Sequence, residues 1–102
     1  MTVDAWLEQE VSDLLDVGSV GLYELLELLR SSDFQITDAE MNSIARKVAR
    51  DLVTGGRASA CLLRWPKDDI IDGPLAVTVL DEDESWKRLS GDLYVVLMPN
   101  QD

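Results

Sequence analysis

The stretch ITDAEMNSIARKVARDLVTGGRASACLLRW, residues 36–65, decides how this chain folds. Thr37, Asp38, Ala39 and Glu40 form a capping box. The Thr37 hydroxyl is placed to accept from the Glu40 backbone N–H, and the Glu40 carboxylate to accept from that of Thr37. Ile36 and Met41 flank the cap as a hydrophobic staple. Met41, Ile44, Ala45, Val48 and Leu52 recur at steps of three and four, which is one apolar face of a helix. Gly55 and Gly56 supply the left-handed turn that ends it. Arg57 to Trp65 then reads as a strand. Ser59, Cys61, Leu63 and Trp65 point to one side of it, and Ala58, Ala60, Leu62 and Arg64 to the other.

Upstream, Thr2 is placed to cap a helix from about Val3 to Asp16, with Val3, Trp6, Leu7, Val11, Leu14 and Leu15 as its apolar face. Gly18 breaks it. Ser19 then starts a second helix, Val20 to Arg30, whose stripe is Leu22, Leu25, Leu26 and Leu29, widened by Tyr23 and Leu28. Gly21 inside that helix costs ~1 kcal/mol relative to alanine. Phe34, in the connection that follows, folds back on the core. Downstream, Pro66 to Pro74 reads as a polar loop and Leu75 to Leu80 as a second strand. Asp81 to Asp92 is an acidic connection in which Glu84 to Leu89 forms a helical turn with Trp86 and Leu89 facing inward. Leu93 to Met98 is the third strand, ended by Pro99. The expected fold class is α+β: three helices followed by a small three-stranded antiparallel sheet, in a single domain over residues 1–102. It is winged-helix-like at most, because one long helix fills the space where a helix-turn-helix needs two short helices and a tight turn.

Charge is the strongest global property. Twenty acidic residues face nine basic ones, for a formal net charge of −11. Solubility alone explains such a balance, and so does a basic protein partner, because a field of this sign speeds association with a cationic surface. It repels phosphates, which sets nucleic acid at a disadvantage. The apolar fraction of 46% suits a small core rather than a disordered acidic tail. No apolar run approaches the ~20 residues of a membrane helix. The N-terminus has no basic region leading into an apolar one, so no secretory signal is expected and the predicted location is cytoplasmic. Cys61 is the single cysteine, which leaves no intrachain disulfide.

There is no histidine, which removes the commonest general base together with His-dependent triads and metal sites. Cys61 has no partner for redox or nucleophilic chemistry and reads as a small core residue. Gly55-Gly56 follows a helix, where a stop signal explains it without a phosphate loop. Asp81-Glu82-Asp83-Glu84 lacks the glycine and closing glutamate of an EF-hand. No enzyme, cofactor or metal is therefore expected. Two acidic groups remain, Asp68, Asp69 and Asp72 in one connection, and Asp81, Glu82, Asp83 and Glu84 in the other. Each reads as a solvated loop or as contact with a basic partner. Four of the nine cations, Arg46, Lys47, Arg50 and Arg57, collect on the far face and end of the central helix, either as a solvated face or as a phosphate-binding one.

In size, acidity and lack of cysteine pairs the chain resembles the immunity proteins of bacterial toxin systems, including contact-dependent growth inhibition. The segments Gly-Leu-Tyr-Glu-Leu-Leu-Glu-Leu-Leu-Arg (21–30) and Leu-Leu-Arg-Trp-Pro (62–66) are similar to pieces of small bacterial proteins. The resemblance lies in whole-chain character and transfers no functional residue. It implies a protein that binds one cognate toxin domain, often a cationic nuclease, and occludes its active or substrate-binding surface. On that reading the acidic residues above pair with toxin Lys and Arg, and Trp65 and Trp86, where exposed, are aromatic anchors. The alternatives are a winged-helix-like regulator using Arg46, Lys47, Arg50 and Arg57 on nucleic acid, and a homo-oligomeric interaction protein using the leucine surface of residues 20–30.

Overall fold

The computed structural model describes residues 2–64, 69–86 and 93–100. The first helix, α1, spans Val3–Leu15, and the Thr2 hydroxyl caps it by accepting from the Ala5 N–H at 3.2 Å. The central helix, α3, spans Asp38–Thr54. Its capping box forms as expected: Thr37 Oγ1 accepts from the Glu40 N–H and Glu40 Oε1 from the Thr37 N–H, each at 3.2 Å. Gly56 takes φ = +76° just past the end, a conformation that glycine reaches without the Cβ penalty. Thr37→Ala is expected to cost about 1 kcal/mol, because it leaves the Glu40 N–H in the first turn of α3 without its side-chain acceptor; a denaturant melt reads the loss directly. A change below ~0.3 kcal/mol would mean that solvent caps this helix as well as threonine does.

The second helix, α2, begins later than its leucine pattern suggests, at Leu22–Ser31. Val20–Gly21 form instead a short strand, β1, and Gly21 is the N-cap residue, its N–H donating to the Glu24 carboxylate at 2.8 Å. Sheet pairing of Val20 with Leu97 outweighs one more helical turn. Phe34 does fold back, edge-to-face on Trp6 with ring centroids 5.4 Å apart.

β2 is Ala58–Arg64, and β4, the strand expected at Leu93 to Met98, is Leu93–Pro99. They pair antiparallel along their whole length, from Ala58 opposite Pro99 to Arg64 opposite Leu93, so the strand includes Pro99 and ends on it. The segment expected to be a loop contains a strand, β3 (Asp69–Asp72), on the other side of β2. The segment expected to be a strand is not one: Val77–Asp81 is a 3₁₀ helix, followed by a second at Asp83–Trp86. Leu80 is fully buried there, and the Trp86 indole N–H donates to the Leu80 carbonyl at 2.9 Å. Packing against the helices thus overrides the β preference of Val77 and Val79. Among the described residues the antiparallel sheet runs β1-β4-β2-β3, four strands rather than three. β1, between α1 and α2 in the chain, joins the sheet beside β4, and the fold class is α+β as expected.

The two faces of β2 alternate as expected. Ala58 and Ala60, with Val95 and Leu97 of β4, face a core built from Leu7 and Val11 of α1, Leu22, Leu25 and Leu29 of α2, and Val48, Ala49 and Leu52 of α3. Cys61 and Leu63, with Tyr94 and Val96, make a smaller cluster on the other face, against which Tyr23 and Met98 pack. The chain leaves β3 across this face. Gly73 (φ = +151°) lies so close that a Cβ there would sit 2.7 Å from Cys61 Sγ, and the Leu75 N–H donates to the Ala60 carbonyl at 2.7 Å.

Candidate partner-binding surface

The cations of α3 are the first charges to place. The helix directs Arg46 and Arg50 towards the 3₁₀ segment and Lys47 towards α1. Arg46 Nη2 donates to Asp83 Oδ1 at 2.5 Å and its Nη1 to the Asp81 carbonyl at 3.1 Å, while the guanidinium lies 5.9 Å from the centre of the Trp86 ring. Arg50 pairs with the Asp81 carboxylate. Lys47 meets Asp51 at 2.9 Å and Asp4 at 3.6 Å. Arg57 bridges to α1 through Glu8 at 3.4 Å and the Ser12 hydroxyl at 2.7 Å. The hydrogen bond and charge of Asp51 raise the Lys47 pKa, and those of Asp81 raise that of Arg50. Solvated pairs of this kind add little stability singly. Their consequence is electrostatic: each of the four cations carries its own carboxylate, so the face that would have met phosphates is neutralised from within.

The same contacts revise the acidic connection 81–84. Asp81 and Asp83 are held on α3 by Arg50 and Arg46, so they are less available to an outside cation than a free loop would be. Glu82 and Glu84 are exposed and make no salt bridge among the described residues. Trp86 is 4% exposed and closes the core beneath them, so it does not meet the condition of exposure on which its reading as an anchor depends. The other acidic group is a strand and not a loop: Asp69 and Asp72 begin and end β3, and Asp72 is exposed. Trp65, Asp68 and Leu89 lie outside the described residues. The two acidic groups sit on different elements, one at the sheet edge and one against α3.

Two features escape a reading by charge alone. Ile70 and Ile71, in the middle of β3, are 56% and 46% exposed. Their signal in the sequence is a pair of β-branched apolar residues inside an otherwise polar segment. A groove of about 790 Å³ also runs between α2 and α3, lined by Tyr23, Leu26, Glu27, Arg30, Asn42 and Arg46 among others. Its lining mixes both charges with apolar carbon, and it forms only when the two helices pack.

Cys61 is buried, and its thiol pKa is raised by burial first and by the Asp72 carboxylate second. Both effects disfavour the thiolate that nucleophilic chemistry requires. Iodoacetamide is therefore expected to alkylate Cys61 at least about tenfold more slowly in the native chain than in urea, by the thiolate dependence of the reaction; equal rates would show the thiol to be open to solvent. Among the described residues no cluster of His, Cys, Asp or Glu is arranged to hold a metal ion, and no helix is long and apolar enough to cross a membrane.

Searches against protein-family models, curated proteins and solved structures each find no match to this chain.

Proposed function

We propose that the chain is a non-catalytic binding protein of the bacterial cytoplasm that neutralises a cognate, cationic toxin domain, as an immunity protein does, by occluding its active or substrate-binding surface. One observation carries this reading. The cations of α3 are satisfied internally, whereas Asp72, Glu82 and Glu84 stay exposed without a salt bridge among the described residues of a chain of net charge −11. A surface of that kind attracts Lys and Arg and repels phosphate. A toxin that grips nucleic acid through Lys and Arg offers the complementary surface. The direct test is genetic and biochemical: a toxin domain encoded beside this gene should arrest growth when expressed alone, and growth should resume when this chain is co-expressed. Continued arrest despite stable co-expression would count against the proposal.

The rival is a nucleic-acid-binding regulator built on the winged-helix-like arrangement. Its phosphate contacts would need Arg46, Lys47, Arg50 and Arg57 free, and all four are paired. Weak binding to duplex DNA at physiological salt is expected. A sequence-specific shift at nanomolar protein, abolished by Arg46→Ala with Arg50→Ala, would favour the regulator.

A further inference from the structure

β3 is last in the sheet order β1-β4-β2-β3 and, among the described residues, pairs with a neighbour on one side only. The outer N–H and C=O groups of such a strand are a template for an added strand. Natural sheets usually blunt that edge, and this one uses three devices. The strand is four residues long. Its register with β2 shifts by one between Leu62 and Leu63, so that β3 carries one extra residue there. Asp72 ends it in the open. Bulges and charges discourage edge pairing, yet Ile70 and Ile71 stay open beside them, although β-branched apolar residues are those that strand packing ordinarily covers.

Charge decides which occupant fits. A second copy brings its own net charge of −11, and an antiparallel pairing centred between Ile70 and Ile71 sets position 69 opposite position 72, both aspartate in the sequence. Like charges directly across a ladder destabilise it, and opposite charges support it. We propose that the outer edge of β3 receives an extended cationic segment of a partner protein, which pairs with β3 through main-chain hydrogen bonds, sets apolar side chains beside Ile70 and Ile71, and carries Lys or Arg near Asp72. This assignment rests on the reading of the chain as a binder of a cationic protein, and adds the mode: affinity from the main chain, selection from charge.

The test uses the intact ¹⁵N-labelled chain at low salt and three capped synthetic peptides. One alternates valine with lysine, one alternates valine with glutamate, and one repeats the lysine peptide with the amides that would face β3 N-methylated. The lysine peptide is expected to shift the amides of residues 69–72 and of their β2 partners. The glutamate peptide should leave them unmoved, and N-methylation should weaken binding about tenfold or more by removing ladder donors while keeping charge and side chains. Equal binding by the N-methylated peptide, shifts centred on residues 81–84, or no shift at millimolar peptide would each overturn the assignment. So would concentration-dependent shifts of β3 without peptide, which mark a second copy. A toxin domain separates the two readings. If the lysine peptide pairs with β3 but the toxin does not bind, the edge assignment stands and the toxin reading falls. If the toxin binds while amides 69–72 exchange as in the free chain, the toxin reading stands and the edge assignment falls.

Discussion

Trp86→Ala is expected to destabilise the fold by about 3–5 kcal/mol, the range for removing a large aromatic side chain from a core. Trp86 is 4% exposed, its indole N–H donates to the Leu80 carbonyl at 2.9 Å, and Arg46 lies over its ring. Alanine empties the space, leaves that carbonyl without its donor and removes the surface on which Arg46 rests. Trp86→Phe separates these effects, since it keeps most of the volume and loses the N–H; a smaller cost of about 1–3 kcal/mol is expected for the unsatisfied carbonyl. Urea unfolding followed by circular dichroism measures both. A loss below ~0.5 kcal/mol for the alanine variant, with partner binding abolished instead, would return Trp86 to the role of an interface anchor.

Leu52→Ala is expected to cost about 2–5 kcal/mol. Leu52 is fully buried near the end of α3, in the cluster that also takes in α1, α2 and the inner face of the sheet. A cavity there removes contacts from several elements at once, and the close packing of a core limits how far they collapse to fill it. Leu14, on α1 and 41% exposed, is the control: its replacement by alanine is expected to stay within about 0.5 kcal/mol because solvent already reaches it. Similar losses at both positions would mean that α3 turns a different face to the core.

The helices were legible because their signals are local. Thr2 capping Ala5, the reciprocal bonds of Thr37 and Glu40, and Gly56 beyond α3 depend on residues within four positions of each other. The strand alternation at Ala58 to Leu63 was legible for the same reason. The errors fall where a distant partner decides. Val20 and Gly21 leave the helical pattern because β4 offers a pairing. Val77 to Leu80 has the composition of a strand, but Leu80 is pulled into the helical core and anchored by Trp86 six residues on. Ile70 and Ile71 form a strand only because β2 lies beside them. The candidate surface divides in the same way. The surplus of carboxylates is a property of composition. That Asp81 and Asp83 are spent on Arg50 and Arg46 depends on a fold that joins positions more than thirty residues apart, which no spacing rule exposes.

The electrostatic mechanism of the proposed immunity function is tested most directly by the association rate of this chain with the toxin domain encoded beside its gene, measured by stopped flow at low and physiological salt. Two variants are compared with the native chain: Asp72→Asn, and Glu82→Gln combined with Glu84→Gln. If the open carboxylates steer a cationic partner, the native association rate should fall steeply with added salt. At least one variant should then associate about tenfold more slowly at low salt and show a flatter salt dependence, with dissociation little changed. Association rates that are the same for the native chain and both variants, and insensitive to salt, would contradict recognition through these carboxylates.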